Sequence, residues 1–287
     1  LGVKRGDFVI CQSLTFVGSA NPILYCNAEP IFIDSETETW NMCPHLLEKA
    51  INDSLKINKK PKAIILVHLY GMPAKINEIK EISKKYDIPL IEDAAEALGS
   101  NYDGIPLGTI GDFGVLSFNG NKIITTSGGG ALISSSFEHC KKAKFLSSQA
   151  KENTIHYQHK EIGYNYRISN VLAAIGLGQI EQIDKKIKIR RKNFSLYKKY
   201  LNNIEEISFL EEPLNFYSNR WITTILVSSQ NGFCKEKIIR SLRKNKIESR
   251  PIWKPMHLQP LYKKYKFYNN NSSDKLFDLG LCLPSGT

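Results

Sequence analysis

A short segment that ends in acidic and small residues carries the first candidate for chemistry. An apolar run begins at Ile88 and is followed at 92–97 by the sequence EDAAEA. Because side chains alternate along a strand, Ile91 and Asp93 would share one face and Glu92 would lie on the other. A carboxylate at the carboxyl end of a buried strand stands where open α/β sheets bind ligands. We therefore expect Asp93 to bind a ligand, and the alternative is that it caps a following helix.

A second segment, residues 111–130, joins a predicted strand to a polar turn that contains Lys122. Ser117 lies near the end of that strand, and the three consecutive glycines at 128–130 permit a close backbone approach or a positive φ. Because the chain contains 39 lysine and arginine residues, the position of one lysine carries little weight by itself. A surface lysine beside a flexible turn is the alternative.

Together, the two segments match the chemical needs of a pyridoxal phosphate site. Such a site needs a lysine for a Schiff base, a carboxylate that keeps the pyridine nitrogen protonated, and hydroxyls or amides for the phosphate. Lys122, Asp93 and Ser117 can supply these groups in that order. An aromatic ring is also needed against the face of the cofactor, and Phe16 is the candidate.

The elements that must position these residues alternate along the first two thirds of the chain. We predict strands at 7–10, 30–33, 63–67, 89–92, 114–118 and 130–134, and amphipathic helices at 44–55 and 75–86. This alternation predicts an α/β domain around a mostly parallel sheet. The continuous apolar run at 64–67 is typical of a strand covered by helices on both faces.

The last third of the chain predicts a second, smaller unit. A long helix is expected to begin after Ser169 as its N-cap and to continue to Leu201, linking two domains. Beyond it, a strand at 221–228, a helix at 235–244 and a strand at 246–250 predict an α+β fold. We assign residues 1–190 to a large domain and 191–287 to a small one.

Composition excludes several classes of protein. The 287 residues are 42% hydrophobic and 23% charged, which excludes disordered and fibrous chains. Apolar runs are far shorter than the roughly 18–20 residues of a membrane-spanning helix, so no membrane association is expected. The net charge of +11 is scattered without a nucleic-acid-binding signature. It predicts a solvated basic face, or a field that attracts a diphosphate-bearing substrate, rather than a nucleic-acid partner.

The cysteines predict neither a metal site nor a disulfide framework. No CxxC pair and no Cys/His cluster at zinc-ligand spacing occurs in the sequence. Thiols spread along the chain are typical of a reduced, cytoplasmic protein in which they act as small hydrophobic residues. The six are Cys11, Cys26, Cys43, Cys140, Cys234 and Cys282.

Six segments, in order, resemble the DegT/DnrJ/EryC1/StrS family of sugar aminotransferases. They are TFVGSAN (15–21), VHLYGMP (67–73), EDAAEALGS (92–100), GDFGVLSFNGNKIITTSGGGAL (111–132), HKEIGYNYRISNVLAAIGLGQ (159–179) and RPIWKPMHLQP (250–260). The resemblance implies the aspartate-aminotransferase-like fold type I and pyridoxal 5'-phosphate as cofactor. The sequences of the fourth and sixth segments look most like those of enzymes that make 4-amino-4,6-dideoxy sugars on UDP. Such enzymes belong to the UDP-N-acetylbacillosamine and legionaminic-acid pathways.

The resemblance also implies a role for each candidate residue in the cofactor site. Lys122 would hold the cofactor covalently and move the proton between substrate and cofactor. Asp93 would pair with the pyridine nitrogen, and Ser117 would bind the phosphate. Glu96, at a position often held by Gln, would lie near the ring hydroxyl. Phe16 would stack on the ring.

The family places its active sites at a dimer interface, which implies a homodimer with shared sites. Asn165, in the GYNYR sequence at 163–167, would reach the phosphate in the partner subunit. The alternative is that Asn165 is only a turn residue before the long helix.

The segment at 250–260 combines cationic, aromatic and imidazole side chains. Such a mixture suits a nucleotide sugar, which presents a diphosphate and flat or apolar surfaces. The alternative is a rigid basic loop that seals the small domain, because prolines flank these residues. The candidate substrate-binding residues are Arg250, Trp253, Lys254 and His257.

The implied reaction transfers an amino group from an amino acid, L-glutamate by resemblance, to the C4 ketone of a UDP-linked 4-keto-6-deoxy sugar. A sugar dehydratase of the same superfamily is disfavoured, because such relatives commonly replace the lysine at the position of Lys122 with histidine. A truncated or non-catalytic paralogue that dimerises but binds the cofactor poorly is the other alternative. The family's segment that opens a helix onto the phosphate is expected before residue 1, and further small-domain residues are expected after residue 287.

Overall fold

A seven-stranded sheet and a four-stranded sheet organise the computed structural model, which describes residues 1–229 and 232–287. The strands are β1 (Phe8–Gln12), β2 (Glu29–Ile33), β3 (Ala63–Val67), β4 (Leu90–Asp93), β5 (Asn101–Tyr102), β6 (Ile105–Pro106), β7 (Phe113–Ser117), β8 (Gly130–Ile133), β9 (Ile207–Phe209), β10 (Phe216–Tyr217), β11 (Thr223–Val227), β12 (Arg250–Pro251), β13 (Phe267–Tyr268) and β14 (Gly280–Leu283). The helices are α1 (Asn21–Tyr25), α2 (Pro44–Lys56), α3 (Ile76–Lys85), α4 (Phe137–Ser147), α5 (Asn170–Ile180), α6 (Ile183–Leu201), α7 (Lys235–Lys244) and α8 (Ser272–Leu279). Short 3₁₀ turns lie at Val17–Ser19, Leu69–Gly71 and Met256–Leu258.

The large sheet has the strand order β13-β2-β1-β3-β4-β7-β8. Every neighbouring pair from β13 to β7 is parallel, and β8 alone runs antiparallel, against β7. The predicted mostly parallel α/β architecture is therefore confirmed. The six predicted strands correspond to β1, β2, β3, β4, β7 and β8, and the two predicted helices to α2 and α3.

Burial explains why the central strands and their helices form. All five residues of β3 are buried, as the apolar run at 64–67 predicted. Helix α2 begins with Pro44 at its first turn and buries Leu47 and Ile51, which lie one turn apart on one face. Helix α3 buries Ile76 and Ile79 in the same cluster. This core supports the middle of the sheet.

The prediction of one long helix from Ser169 to Leu201 is wrong, because α5 and α6 are separate. Ser169 is the N-cap of α5, and its hydroxyl accepts a hydrogen bond from the backbone N–H of Leu172 at 3.3 Å. The chain leaves helical geometry at Gln182, where φ is −104° and ψ is 6°. Helix α6 brings Ile187 so close to Gly99 that a side chain at Gly99 would collide with it.

A smaller antiparallel sheet, in the order β12-β14-β11-β9, forms in the last third of the chain. The predicted strand at 221–228 and helix at 235–244 correspond to β11 and α7. The predicted strand at 246–250 is wrong, because pairing is confined to Arg250–Pro251 and Lys246 has a positive φ of 59°.

Strand β13 also comes from this part of the chain, yet it pairs with β2 at the edge of the large sheet. The domain boundary at residue 190 stays a prediction. None of the helices in the described ranges 1–229 and 232–287 is long and apolar enough to cross a membrane.

Two glycines let β7 approach the turn that precedes it. A Cβ atom at Gly114 would lie well inside van der Waals contact with the carbonyl oxygen of Gly108. Gly108 itself has a φ of 88°, which a side chain would strain. Because β7 leads to Ser117, this close approach helps to set where that side chain lies.

We expect Gly114→Ala to lower the free energy of unfolding by about 1–3 kcal/mol or more, because overpacking forces the backbone to move. Gly128→Ala is the matched control, since a Cβ atom there meets nothing within 4 Å. Urea unfolding followed by circular dichroism measures both changes. Equal stability of the two variants would contradict the close packing of β7 on the Gly108 turn.

Candidate active site

A cavity of about 240 Å³ lies where strands β3, β4 and β7 reach their carboxyl ends. Val67, Asp93 and Val115 occupy neighbouring positions in these strands and all line it. The cavity brings together most of the candidate residues identified from the sequence. Those that line it are Phe16, Asp93, Glu96, Ser117, Lys122 and Trp253.

Asp93 is the last residue of β4, and both of its carboxylate oxygens accept hydrogen bonds. The hydroxyl of Ser19 donates to Oδ2 at 2.6 Å, and the backbone N–H of Ala95 donates to Oδ1 at 3.1 Å. Ser19 in turn shares a 2.8 Å hydrogen bond with the hydroxyl of Thr15. The alternative that Asp93 caps a following helix is wrong, because residues 94–100 form turns.

Lys122 lies inside the cavity, and its side chain is 12% exposed, so it is not the surface lysine of the alternative interpretation. Its Nζ is 4.1 Å from the centroid of the Trp221 ring, which is a cation–π distance. The indole N–H of Trp221 donates to the backbone oxygen of Asn121 at 2.8 Å and so fixes the turn that carries the lysine.

Glu96 is a buried carboxyl between three donors. Its Oε2 accepts the backbone N–H of Tyr70 at 2.6 Å. Its Oε1 accepts the indole N–H of Trp253 at 3.3 Å and lies 3.8 Å from Nζ of Lys122. Burial raises the pKa of Glu96 to about 7, although the nearby Lys122 opposes the rise. Glu96 can therefore hold a proton near neutral pH.

Glu92 lies on the other face of β4, away from Asp93, and is completely buried. Its Oε1 accepts the N–H groups of Ile110 and Gly111, both at 2.6 Å. Its Oε2 accepts the N–H of Gly108 at 2.8 Å and the Nε2–H of His68 at 3.0 Å. Burial alone would raise the pKa of Glu92, but these hydrogen bonds hold it below its ordinary value.

The ring of His68 is fixed in one tautomer by its second partner. Its Nδ1 accepts the backbone N–H of Ala74 at 3.1 Å, so Nε2 carries the proton that is donated to Glu92. The Glu92 carboxylate thus joins the ends of β3 and β4 to the turn before β7. These three strands carry the walls of the cavity.

Trp253 is the member of the predicted substrate segment that reaches this cavity. Its ring centroid is 5.7 Å from that of Phe16 and 5.8 Å from that of Tyr70. Its backbone N–H donates to the hydroxyl of Tyr70 at 2.8 Å. Tyr70 therefore holds Trp253, which lies 183 residues later in the sequence, at the cavity wall.

The other three members of that segment do not line this cavity. Arg250 is exposed and pairs with Glu248 at 2.7 Å, and Lys254 is also exposed. His257 faces inward instead. Its Nδ1 is 2.7 Å from the hydroxyl of Ser13, its Nε2 is 3.2 Å from Asp274, and its ring stacks on Phe267.

Asn165 also lies outside the cavity of its own chain. It is exposed, and its side-chain oxygen accepts a hydrogen bond from the amide of Gln149 at 2.9 Å. Its predicted role in a partner subunit stays a prediction.

The donor set fits the cofactor predicted from the sequence. A carboxylate, an amine and a hydroxyl line one cavity, in Asp93, Lys122 and Ser117. The ring of Phe16 lines the same cavity and is 55% exposed, so it can cover a flat ligand. Within residues 1–229 and 232–287, no three His, Cys, Asp or Glu side chains are placed to hold a metal ion.

Sequence reasoning missed Ser19, Trp221 and the pair of Glu92 with His68. Three of these four residues lie in the segments TFVGSAN, VHLYGMP and EDAAEALGS, and their presence in family-like segments was the signal that could have identified them. Trp221 lies outside all of them. Its contact with the turn at Asn121 spans 100 residues of sequence.

The sequence profile of the DegT/DnrJ/EryC1/StrS aminotransferase family matches residues 1–287. The chain is 49% identical to EpsN of Bacillus subtilis, which is named as a pyridoxal phosphate-dependent aminotransferase, and the match covers 100% of this chain and 74% of that protein. It is 38% identical to the GDP-perosamine synthase of Escherichia coli O157:H7, over 99% of this chain and 75% of that enzyme.

A more distant relative acts on a UDP sugar. The chain is 33% identical to the UDP-4-amino-4,6-dideoxy-N-acetyl-beta-L-altrosamine transaminase of Campylobacter jejuni, over 92% of this chain and 69% of that enzyme. Among solved structures, a DegT DnrJ EryC1 StrS aminotransferase from Brucella abortus matches with a TM-score of 0.91 and 28% identity. That match covers 99% of this chain and 76% of the solved one.

We expect Glu96→Gln to remove a pH dependence of stability. Because the pKa of Glu96 is raised from 4.5 to about 7 in the folded protein, its protonated form stabilises the fold below pH 4.5. That contribution is lost as the pH rises to about 7. Relative to Glu96→Gln, the wild-type free energy of unfolding should fall by about 3 kcal/mol across this window.

Urea unfolding of the cofactor-free proteins at about pH 5 and pH 8 measures this difference. Gln keeps an acceptor for the N–H of Tyr70, so the hydrogen bond is preserved in both proteins. A stability difference between the two proteins that does not change with pH would contradict the raised pKa.

Proposed function

Because the chain belongs to the DegT/DnrJ/EryC1/StrS aminotransferase family, we propose that this pyridoxal phosphate-dependent enzyme transfers an amino group to the C4 ketone of a UDP-linked 4-keto-6-deoxy sugar. The proposed donor is an amino acid, L-glutamate. The observation that carries the proposal is the meeting of Lys122, Asp93 and Ser117 in one cavity at the carboxyl ends of parallel strands.

When bound, the cofactor supplies an electron sink for the carbon that loses its proton. Lys122 is proposed to hold the cofactor and to carry that proton on Nζ, first from the amino acid and later to the sugar. The cation–π contact with Trp221 and the nearby Glu96 keep Nζ directed into the cavity. The short chain of Thr15, Ser19 and Asp93 orients the carboxylate that holds a proton on the ring nitrogen.

The remaining cofactor contacts are proposed from the same cavity. Glu96, as a protonated acid, can donate a hydrogen bond to a ring oxygen, which a Gln amide at this position would also do. Ser117 is proposed to bind the phosphate, and Phe16 to cover one face of the ring. Trp253 packs on Phe16 and lines the same cavity.

The proposed substrate contacts divide into direct and indirect ones. Trp253 lines the cavity. Arg250 and Lys254 are exposed cations that lie close to Trp253 in the sequence. His257, with both ring nitrogens bonded, acts by holding the segment that carries Trp253 against Ser13. Relatives named for GDP sugars and for UDP sugars both match this chain. The choice of UDP therefore rests on the residue sequences at 117–130 and 250–260, which resemble those of enzymes that act on UDP sugars.

No observation favours the two alternatives. A dehydratase is disfavoured because Lys122 is retained inside the cavity. A non-catalytic paralogue is disfavoured because Asp93 and Lys122 face the same space.

A homodimer with shared active sites is also proposed. Helix α5 is apolar over most of its length, yet none of its residues is buried. Val171 and Leu177 are each 65% exposed, and Ile162 and Tyr166 before the helix are 85% and 74% exposed. A continuous apolar surface of this kind is typical of a protein interface. Asn165 lies in the chain just before helix α5, at this surface. That position supports the proposal that its side chain reaches into a partner's site.

We expect Lys122→Ala to abolish transamination and Asp93→Asn to cripple it, because an amide cannot hold the ring proton as a carboxylate does. Turnover is measured by mass spectrometry of the products from UDP- and GDP-linked 4-keto sugars with glutamate. Lys185→Ala, an exposed lysine in α6, is the matched control and should leave turnover unchanged. Lys122→Ala activity above about one part in a thousand would contradict the covalent and proton-carrying roles.

We expect Lys122→Ala and Asn165→Ala protomers to complement each other. Each parent is impaired, but a mixed dimer contains one site with both residues intact. Activity is assayed after mixing, with subunit exchange verified by tagged protomers. No recovery of activity despite exchange would count against a shared site.

A further inference from the structure

The backbone of Tyr70 has an unfavourable conformation beside the candidate active site. Its φ is 55° and its ψ is 19°, in the left-handed region that bulky residues rarely adopt. The side chain is buried, in the 3₁₀ turn that follows β3. Glycine or asparagine would adopt this conformation with less strain. A tyrosine here indicates that the side chain itself is needed, because strained residues cluster at functional sites.

The next residue, Gly71, shows how the turn is held. Gly71 also has a positive φ, of 84°, and a Cβ atom there would collide with the side chain of Asn219. The buried amide of Asn219 donates to the backbone oxygen atoms of Glu96 and Leu98, at 3.0 Å and 2.9 Å. The turn is therefore packed against the chain that follows β4, and a change of backbone conformation at Tyr70 would disturb that packing.

In this conformation Tyr70 takes part in a closed ring of three hydrogen bonds. Its backbone N–H donates to Oε2 of Glu96 at 2.6 Å. Its hydroxyl accepts the backbone N–H of Trp253 at 2.8 Å. The indole N–H of Trp253 donates to Oε1 of Glu96 at 3.3 Å and closes the ring. The three residues come from three separate parts of the chain, so each helps to hold the other two.

The hydroxyl of Tyr70 supplies the shorter of the two hydrogen bonds that Trp253 makes in this ring. Prolines at 251 and 255 have no N–H group, so few backbone donors remain in this segment. Burial raises the pKa of Tyr70, and its hydroxyl therefore keeps its proton near neutral pH. Cys282 of β14 lies beside the same hydroxyl. Tyr70 thus connects the turn after β3 with the segment that carries Trp253 and with the small sheet.

We propose that Tyr70 is a positioning residue, whose hydroxyl holds the Trp253 indole at the cavity and so sets the affinity for the keto-sugar acceptor. The inference rests on the proposed function, since Tyr70 acts on that substrate through Trp253. Trp253 lines the cavity together with Lys122, whereas Tyr70 does not line it. A nucleotide sugar has flat and apolar surfaces that an indole can cover, and glutamate has none. Loss of the hydroxyl should therefore affect the two half-reactions unequally.

The first test is the accessibility of Trp253, measured by acrylamide quenching of tryptophan fluorescence in the cofactor-free protein. The chain has three tryptophans. Trp40 and Trp221 are buried, and Trp253 is partly exposed. Quenching therefore reports mainly on Trp253.

Tyr70→Phe is the variant for this test, because it removes the hydroxyl but keeps the ring and the N–H that bonds Glu96. Tyr262→Phe is the matched control. Tyr262 is as buried as Tyr70, its hydroxyl donates to Asn21 at 2.5 Å, and neither Tyr262 nor Asn21 lines the cavity. Circular dichroism verifies that both variants fold. We expect the quenching constant to rise in Tyr70→Phe and to stay at the wild-type value in Tyr262→Phe, and equal constants in all three proteins would overturn the proposal.

The second test measures the two half-reactions separately in the enzyme loaded with pyridoxal phosphate. The visible absorbance of the bound cofactor follows each of them, first with glutamate and then with a UDP-linked 4-keto-6-deoxy sugar. We expect Tyr70→Phe to raise the apparent KM for the keto sugar about three- to tenfold, as the loss of one hydrogen bond predicts, and to leave the KM for glutamate within about twofold. Equal increases in both half-reactions would indicate a merely structural role and would overturn the proposal.

A double-mutant cycle tests whether Tyr70 acts through Trp253. Trp253→Ala alone should raise the KM for the keto sugar, and Tyr70→Phe added to it should have no further effect, because the side chain that it positions is gone. A further increase of the same size in the double variant would show that Tyr70 acts independently, against the proposal. An unchanged KM in Trp253→Ala, which does not depend on the folding of Tyr70→Phe, would also overturn it.

The two tests separate this proposal from the proposed function. A wild-type protein that aminates no UDP- or GDP-linked 4-keto sugar refutes the proposed function, and acrylamide quenching then still decides whether Tyr70 holds Trp253. A wild-type protein that aminates the sugar, with quenching and KM values unchanged in Tyr70→Phe, refutes the role of Tyr70 alone.

Discussion

The carboxylate of Glu92 is removed from water and must find its hydrogen-bond donors inside the protein. It finds four, from His68 and from the backbone at 108–111, so that both carboxylate oxygens are satisfied. Since these segments follow β3 and precede β7, one buried charge helps to hold the ends of the three central strands in place, in addition to the pairing of the strands themselves. Asp93, the next residue, then emerges on the opposite face of β4, toward the cavity. The position of the reactive groups therefore depends on a residue that does not touch them.

Features that depend on neighbours in sequence were predictable. Alternation and helical periodicity located six of the seven strands of the large sheet, all but β13, together with α2 and α3, and the end of β4 singled out Asp93. Features that depend on distant partners were not. Helix α6 begins after Gln182 and packs Ile187 against Gly99, and the inward-facing His257 contacts a hydroxyl 244 residues away in sequence. Neither partner is visible in a local pattern.

The two sheets are joined by the chain that carries Trp253. This segment leaves the small sheet at β12, passes the cavity, where it contacts Tyr70 and Phe16, and enters the large sheet as β13. The segment that carries Trp253 is therefore fixed to both sheets. The resemblance of individual motifs could identify this segment as important, but only the pairing of β13 with β2 explains how its position is fixed.

The charge on Lys122 affects the protonation of Glu96. The positive charge on Nζ is what holds the pKa of Glu96 down against its burial. Whatever removes that charge, such as conversion of the amine to a neutral linkage, must raise the proton affinity of the neighbouring acid. Near neutral pH, conversion of the Nζ ammonium to a neutral linkage releases a proton, and the neighbouring carboxyl group of Glu96 can retain it. A glutamine at position 96 could not take up that proton, which would then pass to solvent.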